Sequence, residues 1–219
     1  MSPHDGPEHD HEHEHEHGPH PYQPDIEDSG YTERMVMAQA VEELLIEKAI
    51  ITADEMRAQV ELMDSREPAL GAKVVARAWT DPAFKQRLLE DVNKAAAEMD
   101  IDTGTIPIRA VENTPDVHNV IVCTLCSCYP RLLIGLPPDW YKSRAYRSRT
   151  VREPRVVLAE FGTEIADDVE VRVHDSTADL RYIVLPMRPA GTDDWDEDRL
   201  AELVNRDSMI GVSLAGQSS

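Results

Sequence analysis

Apolar residues recur at helical spacing up to about residue 99 and then give way to short β-branched runs; the switch predicts a mixed architecture. Met37, Val41, Leu44 and Leu45 share one face of a helix predicted from about Thr32 to Ala49. Thr52 and Glu55 have the spacing of a capping box, and Met56, Val60 and Met63 continue an apolar stripe behind it. Pro68 to Gly71 reads as a break before a short helix carrying Val74, Val75 and Trp79. Asp81 and Pro82 then supply cap and first-position chemistry for a helix running to about Met99. Periodicity alone does not separate intrachain core from a face that meets a partner subunit.

Strands and turns follow. Ile106 to Val111 and Asn119 to Val122 are predicted strands, the second leading directly into a cysteine-rich loop. Gly135, Pro137 and Pro138 enforce irregular backbone before Trp140. Val156 to Phe161 reads as a helix closed by Gly162, Val169 to Val173 and Tyr182 to Leu185 as strands, Asp196 to Arg206 as a helix, and Ile210 to Leu214 as a last strand. The class is α+β, and the expected division is an arm over 1–28, a helical region over 29–100 and an α+β domain over 101–219.

Charge sets the arm apart. The chain of 219 residues carries a net charge of −20, and residues 1–28 hold nine acids with no Lys or Arg. HDHEHEHEHGPHPYQP has almost nothing to bury and reads as disordered. Seven of the nine histidines lie there, as a solvated tail or expression remnant, or as a weak scavenger of divalent metal. The remaining 33 acids against 22 bases argue against nucleic acid or an anionic membrane as the main partner. No apolar run approaches the roughly 20 residues needed to span a bilayer, and the N-terminus lacks signal-peptide regions. Clustered cysteines without a disulfide pattern suit the cytoplasm. Between Lys142 and Arg155 there are six basic residues and one acid, better suited to pairing with carboxylates nearby or across an interface than to nucleic acid.

All three cysteines fall in VCTLCSC, as Cys123, Cys126 and Cys128. Thiols so concentrated form a metal site or a redox site, or are simply small buried hydrophobes. Structural zinc is disfavoured, because it wants four side-chain ligands and no second pair exists. Two thiolates flanking Ser127 can reach one ion, and if the Ser127 and Cys128 amides lose their protons, two nitrogens join two sulfurs in one plane. Cys123 would then bind axially and leave a sixth position open. Such a donor set suits a strongly Lewis-acidic ion such as trivalent cobalt or iron. His118 and His174, lacking a partner at metal spacing, read as hydrogen-bonded structural residues.

VCTLCSC resembles the metal-binding motif of the nitrile hydratase α subunit, and GLPPDWYKSRAYRSRTVREPR, RYIVLPMRPAG and SMIGVSL extend the likeness over roughly Thr32 to Leu214. The resemblance implies a layered α-β-β-α metal-binding domain behind the helical arm. It implies Cys123, Cys126 and Cys128 as sulfur ligands, with Ser127 and Cys128 amides as nitrogen ligands. Thr124 matches the cobalt type, where the iron type has serine, so one non-corrin Co(III) per chain is expected before Fe(III). Cys126 would mature to cysteine sulfinic acid and Cys128 to cysteine sulfenic acid. Ser127 and Thr124 would orient the ligands. Catalysis would combine Lewis acidity with attack by the Cys128 oxygen, or by water beside it, on a small-molecule nitrile. A β subunit, in an αβ or (αβ)2 assembly, would complete the pocket with arginines. Arg131, where many relatives carry tryptophan, and Met187, where glutamine is common, depart from the pattern. YPR and the histidine-rich start resemble the cobalt subunit of thiocyanate hydrolase, whereas GLPP and VREPR resemble nitrile hydratase. A non-catalytic metal or redox module is the alternative from another class.

Overall fold

Local capping chemistry sets most helix boundaries in the computed structural model, which describes residues 32–217. The expected disordered arm over 1–28 lies outside the described residues. Thr32 caps α1 (Glu33–Glu47) by accepting from the Met35 amide. Thr52 and Glu55 form the anticipated reciprocal capping box at the start of α2 (Ala53–Asp64). Neither helix contains a buried residue. The apolar stripe on α1 is exposed, with Met37 at 66% and Val41 at 50%, so it is not intrachain core.

The core begins with α3 (Pro68–Thr80), α4 (Pro82–Glu90) and α5 (Val92–Ala97). Two expectations are corrected here. Pro68 to Gly71 does not interrupt a helix but forms the first turn of α3, because proline at the first positions loses no intrahelical hydrogen bond. Gly71 is needed there for space: an added Cβ would lie 2.5 Å from Ile134 Cγ2 and 2.7 Å from Met209 Sδ. The helix expected to run from Asp81 to Met99 is two helices. Asp91 takes extended backbone (φ −156°, ψ 101°), and its carboxylate accepts from the Lys94 amide to start α5.

Four strands make two parallel pairs. β1 (Ile108–Glu112) pairs with β4 (Arg181–Leu185), and β2 (Val117–Val122) pairs with β3 (Glu170–Asp175). β2 is buried from His118 to Val122 and packs against both β1 and β4. Short helices α6 (Arg131–Ile134), α7 (Asp139–Lys142), α8 (Arg144–Arg152) and α9 (Pro154–Glu160) connect β2 to β3. Phe84, Leu88, Val92, Ile121, Leu133, Leu158 and Ile210 share one core, so helices and strands bury their apolar faces against each other.

The C-terminal segment corrects two more expectations. The helix expected over Asp196 to Arg206 stops as α10 (Glu197–Ala201), and Asn205 caps a separate α11 (Arg206–Ile210). Ile210 to Leu214 is therefore not a strand. Ile210 closes α11 and Gly211 takes the left-handed conformation with φ +92°. A Cβ there would sit 2.0 Å from the Asn119 carbonyl oxygen, so the chain can only turn this close to β2 with glycine.

Gly211→Ala should lower stability by about 3 kcal/mol, combining roughly 1–2 kcal/mol for left-handed backbone and roughly 1–3 kcal/mol for overpacking. Urea unfolding of the described domain checks this, and a change below about 1 kcal/mol would contradict the close approach.

Candidate metal centre

β2 delivers the cysteine loop. Val120, Ile121 and Val122 are buried, and Cys123, the next residue, is itself 0% exposed. Cys126 is exposed and Cys128 is half-buried, so the cluster runs from core to surface over a few ångströms. Cys123 Sγ lies 3.6 Å from Cys126 Sγ, which lies 3.3 Å from Cys128 Sγ. All three sulfurs fall within 4.8 Å of one another. The Cys126 amide donates to Cys123 Sγ at 3.2 Å, and the Ser127 and Cys128 amides are turned toward Cys126 Sγ. The three sulfurs thus form one compact cluster that could hold a metal ion.

Residues outside the loop hold both of its ends. β3 lies parallel to β2 with Asp175 opposite Val122, and the Ser176 amide continues the pairing by donating to the Val122 carbonyl at 2.7 Å. That register brings the Asp175 carboxylate to Thr124, whose amide and hydroxyl donate to it at 2.9 and 2.6 Å. At the other end the Tyr141 hydroxyl donates to the Cys128 carbonyl at 2.9 Å, and Tyr146 donates to the Ile121 carbonyl at 2.6 Å. Both tyrosines are buried, and Tyr129, Trp140 and Phe161 pack edge-on around them. Such aromatic pairs contribute roughly 0.5–1.5 kcal/mol each beyond area burial.

The thiols do not titrate alike. Burial pushes the Cys128 thiol up to about 12, the neighbouring sulfurs of Cys126 and Cys123 add to the rise, and the Arg181 charge opposes it. At Cys126 burial also pushes upward, but hydrogen bonds from both neighbouring cysteines and from the Ser127 and Cys128 amides outweigh it. Its thiol therefore sits below the ordinary value. Three thiolates this close repel one another, and a bound cation removes that penalty while releasing the protons.

A cleft of about 660 Å³ is lined by Thr124, Leu125, Cys126 and Ser127 together with Lys142, Arg144, Arg147 and Arg152. Leu125 is 86% exposed. The rest of the basic run is used internally: Arg149 pairs with Glu153 and Glu160, and Arg155 donates to the carbonyls of Ile165, Ala166 and Val169. Arg131 opens α6, exposed, with no hydrogen bond or ion pair to the sulfurs among the described residues.

The structure brings Cys123, Thr124, Cys126, Ser127 and Cys128 together. Thr124 acts through Asp175, while the Ser127 hydroxyl makes no hydrogen bond among the described residues. Both interior histidines are structural. The buried His118 contacts the Gly211 carbonyl at 2.7 Å and Asn113 at 3.3 Å, and His174 contacts Asn119 at 2.8 Å. Burial lowers both imidazoles from their ordinary value, and at His174 the Arg172 charge adds to the fall. Asp175, Tyr141 and Tyr146 were not singled out from the sequence. Only the strand register shows that Asp175 lies beside the loop, and that register is a nonlocal fact.

An α+β chain that gathers three cysteine sulfurs within 4.8 Å at one strand end defines a class: a chain with a candidate metal centre. Residues 32–213 match the family described as nitrile hydratase, alpha chain. The low-molecular weight cobalt-containing nitrile hydratase subunit alpha of Rhodococcus rhodochrous is 53% identical over 177 residues, 80% of this chain and 86% of that one. A solved structure of recombinant thiocyanate hydrolase with partially modified cobalt centres superposes with a TM-score of 0.79 at 41% identity, covering 84% of this chain and 90% of that one. A double mutant of the Fe-type nitrile hydratase from Comamonas testosteroni Ni1 gives 0.76 at 42% identity, covering 84% and 92%. The chain belongs to the nitrile hydratase α-chain family, the metal-bearing subunit of that enzyme. No described helix is long and apolar enough to cross a membrane.

Thr124 and Asp175 should act as one unit. Both are exposed, which discounts their charge-assisted hydrogen bonds to about 1 kcal/mol of coupling. Thr124→Val, Asp175→Asn and the double variant, compared by unfolding, should be non-additive by that amount. Strict additivity would mean that the clamp contributes nothing in solution.

Proposed function

We propose that the three cysteines hold one non-corrin Co(III) ion, through Cys123, Cys126 and Cys128 sulfur and the Ser127 and Cys128 amide nitrogens, and that nitriles are hydrated to amides there. The observation that carries this reading is the convergence of all three sulfurs within 4.8 Å at a strand end. Cobalt is favoured over iron because the cobalt-containing relative is 53% identical, whereas the Fe-type structure is 42% identical. Thr124 in the motif points the same way.

When bound, the ion supplies Lewis acidity that polarises a nitrile or lowers the pKa of water. The chain's own residues do the rest. Asp175 and Thr124 fix one end of the loop and Tyr141 the other, so the sulfurs keep their positions as charge develops. Cys126 is proposed to mature to the sulfinic acid. Cys128, as the sulfenic acid, presents its oxygen to the nitrile carbon or holds the attacking water. Leu125 offers the cleft an apolar surface for the nitrile's organic group, and four cationic side chains line the same cleft.

The assembly is proposed to be αβ or (αβ)2 with a nitrile hydratase β subunit, located in the cytoplasm. The parts of the chain would divide as arm (1–28), helical region (29–100) and catalytic domain (101–219). Within the helical region, α1 and α2 contain no fully buried residue, and exposed Met37, Val41, Leu44 and Val60 are open to a partner. Thiocyanate hydrolase is the less favoured relative, since that structure is 41% identical against 53% for the nitrile hydratase subunit.

The test is to purify the chain alone and with its β subunit at matched cobalt content, then measure amide from nitriles beside ammonia and carbonyl sulfide from thiocyanate. Amide production per cobalt should rise by at least roughly tenfold with the partner present. Equal rates per cobalt would mean that the site is complete within one chain, and faster thiocyanate turnover would reverse the choice of substrate.

A further inference from the structure

Residues 1–28 are the part of the sequence that the metal centre leaves unused. They carry nine acids, no Lys or Arg and seven histidines, five of which (His9, His11, His13, His15 and His17) stand at every second position. Imidazole nitrogen alternating with carboxylate oxygen suits a borderline divalent ion such as Co2+, and the close spacing lets several groups share one ion and exchange it. Histidines alone would bind the ion. The interleaved acids add a strong negative charge, which the rest of the chain, with 33 acids against 22 bases, on balance repels.

The cleft beside the cysteines is the exception to that repulsion. Lys142, Arg144, Arg147 and Arg152 line it together with Cys126 and Ser127, and no acid is among its described lining residues. Lys142 also meets the exposed Asp139 at 3.1 Å, and Arg152 Nε donates to the Ser148 carbonyl at 3.1 Å. Arg147 Nε has no hydrogen-bond partner among the described residues. Cys126 is the exposed sulfur of the cluster, so an anionic segment seated among these cations lies beside the first thiol that an arriving ion meets. Length permits this. His9 to His17 stand 15–23 residues ahead of Thr32, a span of roughly 50–75 Å when extended. Helices α1 and α2 together measure about 40 Å, and a compact domain of the size that follows has a radius of gyration of about 15 Å.

We propose that residues 1–28 are a cobalt-loading segment: the histidines take up Co2+, the acids dock on the cleft cations, and the ion passes to the cysteine sulfurs before a partner covers the cleft. The assignment rests on the cysteines being the cobalt site, as proposed above. The transfer exchanges imidazole and carboxylate ligands for thiolate sulfur. The thiol protons go to the freed imidazoles or to water, and the ion stays divalent, so the step needs no oxidant.

Four metal-free proteins test it: the full-length chain, the chain lacking residues 1–28, a variant with all seven arm histidines changed to Gln, and Arg144→Gln with Arg147→Gln. Each receives limiting Co2+ against a competing chelator. Dialysis counts the bound cobalt, and the sulfur-to-metal absorption band reports its arrival at the cysteines. The full-length chain should bind more than one Co2+ and fill the cysteine site roughly tenfold faster than the truncated chain, the low end of what electrostatic steering supplies. The histidine variant should load as slowly as the truncation. The arginine variant should hold as much cobalt as the full-length chain and still load slowly. Raising salt from about 0.05 to 0.5 M should remove the full-length advantage.

A truncated chain that loads within about twofold of the full-length one would overturn the proposal. So would an advantage that survives in the arginine variant and at high salt, which would make the arm a reservoir that never docks. An arginine variant that loads normally but fails to pair with the β subunit would assign the cleft to that partner and overturn it too. If the arginine variant does not fold, Glu12→Gln, Glu14→Gln and Glu16→Gln together lower the arm's charge and are judged the same way. A full-length chain that never shows the sulfur band would remove the cysteine site and this proposal together. Fast loading into a complex that then hydrates no nitrile would remove the hydration reading and leave the loading segment standing.

Discussion

Holding three sulfurs within 4.8 Å of one another is unfavourable once their protons leave, and most of the domain can be understood as a means of enforcing it. The loop contributes little rigidity of its own. Its first sulfur is fixed because Cys123 continues a buried strand, and its last because Tyr141 grips the Cys128 carbonyl from inside an aromatic cluster. Asp175 reinforces the first end by taking both donors of Thr124. An ion placed among these sulfurs converts mutual repulsion into attraction, so metal binding and loop order should be strongly linked.

The same economy leaves surfaces unfinished. The core uses α3 to α5, the strand pairs and the C-terminal turn, while α1 and α2 expose Met37, Val41 and Leu44. Leu125 is exposed in a cleft that four cationic residues also line. Exposed apolar groups of this kind, beside the candidate metal centre, fit the proposed pairing with a second subunit. A partner would dry the cleft and strengthen every charge interaction within it.

Chemistry that is local in sequence was legible there. The Thr52–Glu55 box, the Asp81–Pro82 cap, the β-branched strands and the cysteine spacing each depend on residues only a few positions apart. What escaped was decided over longer distances. Gly71 reads as a breaker until Ile134 and Met209 are seen packed on it, and Ile210 to Leu214 reads as a strand until Asn205 is seen capping a helix into it. Asp91 is a second cap, its carboxylate accepting from the Lys94 amide three residues on, and it divides what reads as one helix. Asp175 carries no motif. It reaches the loop because β3 ends beside it, and strand order is set by the whole core.

The central claim is that three cysteine sulfurs and two backbone nitrogens of one short loop share a single ion. X-ray absorption at the metal edge of the purified complex tests it directly, because scattering from sulfur and from nitrogen differs. The expected result is a cobalt edge with three sulfur and two nitrogen neighbours, lost in a Cys126→Ser variant. Zinc with four ligands, or cobalt bound without sulfur, would contradict it.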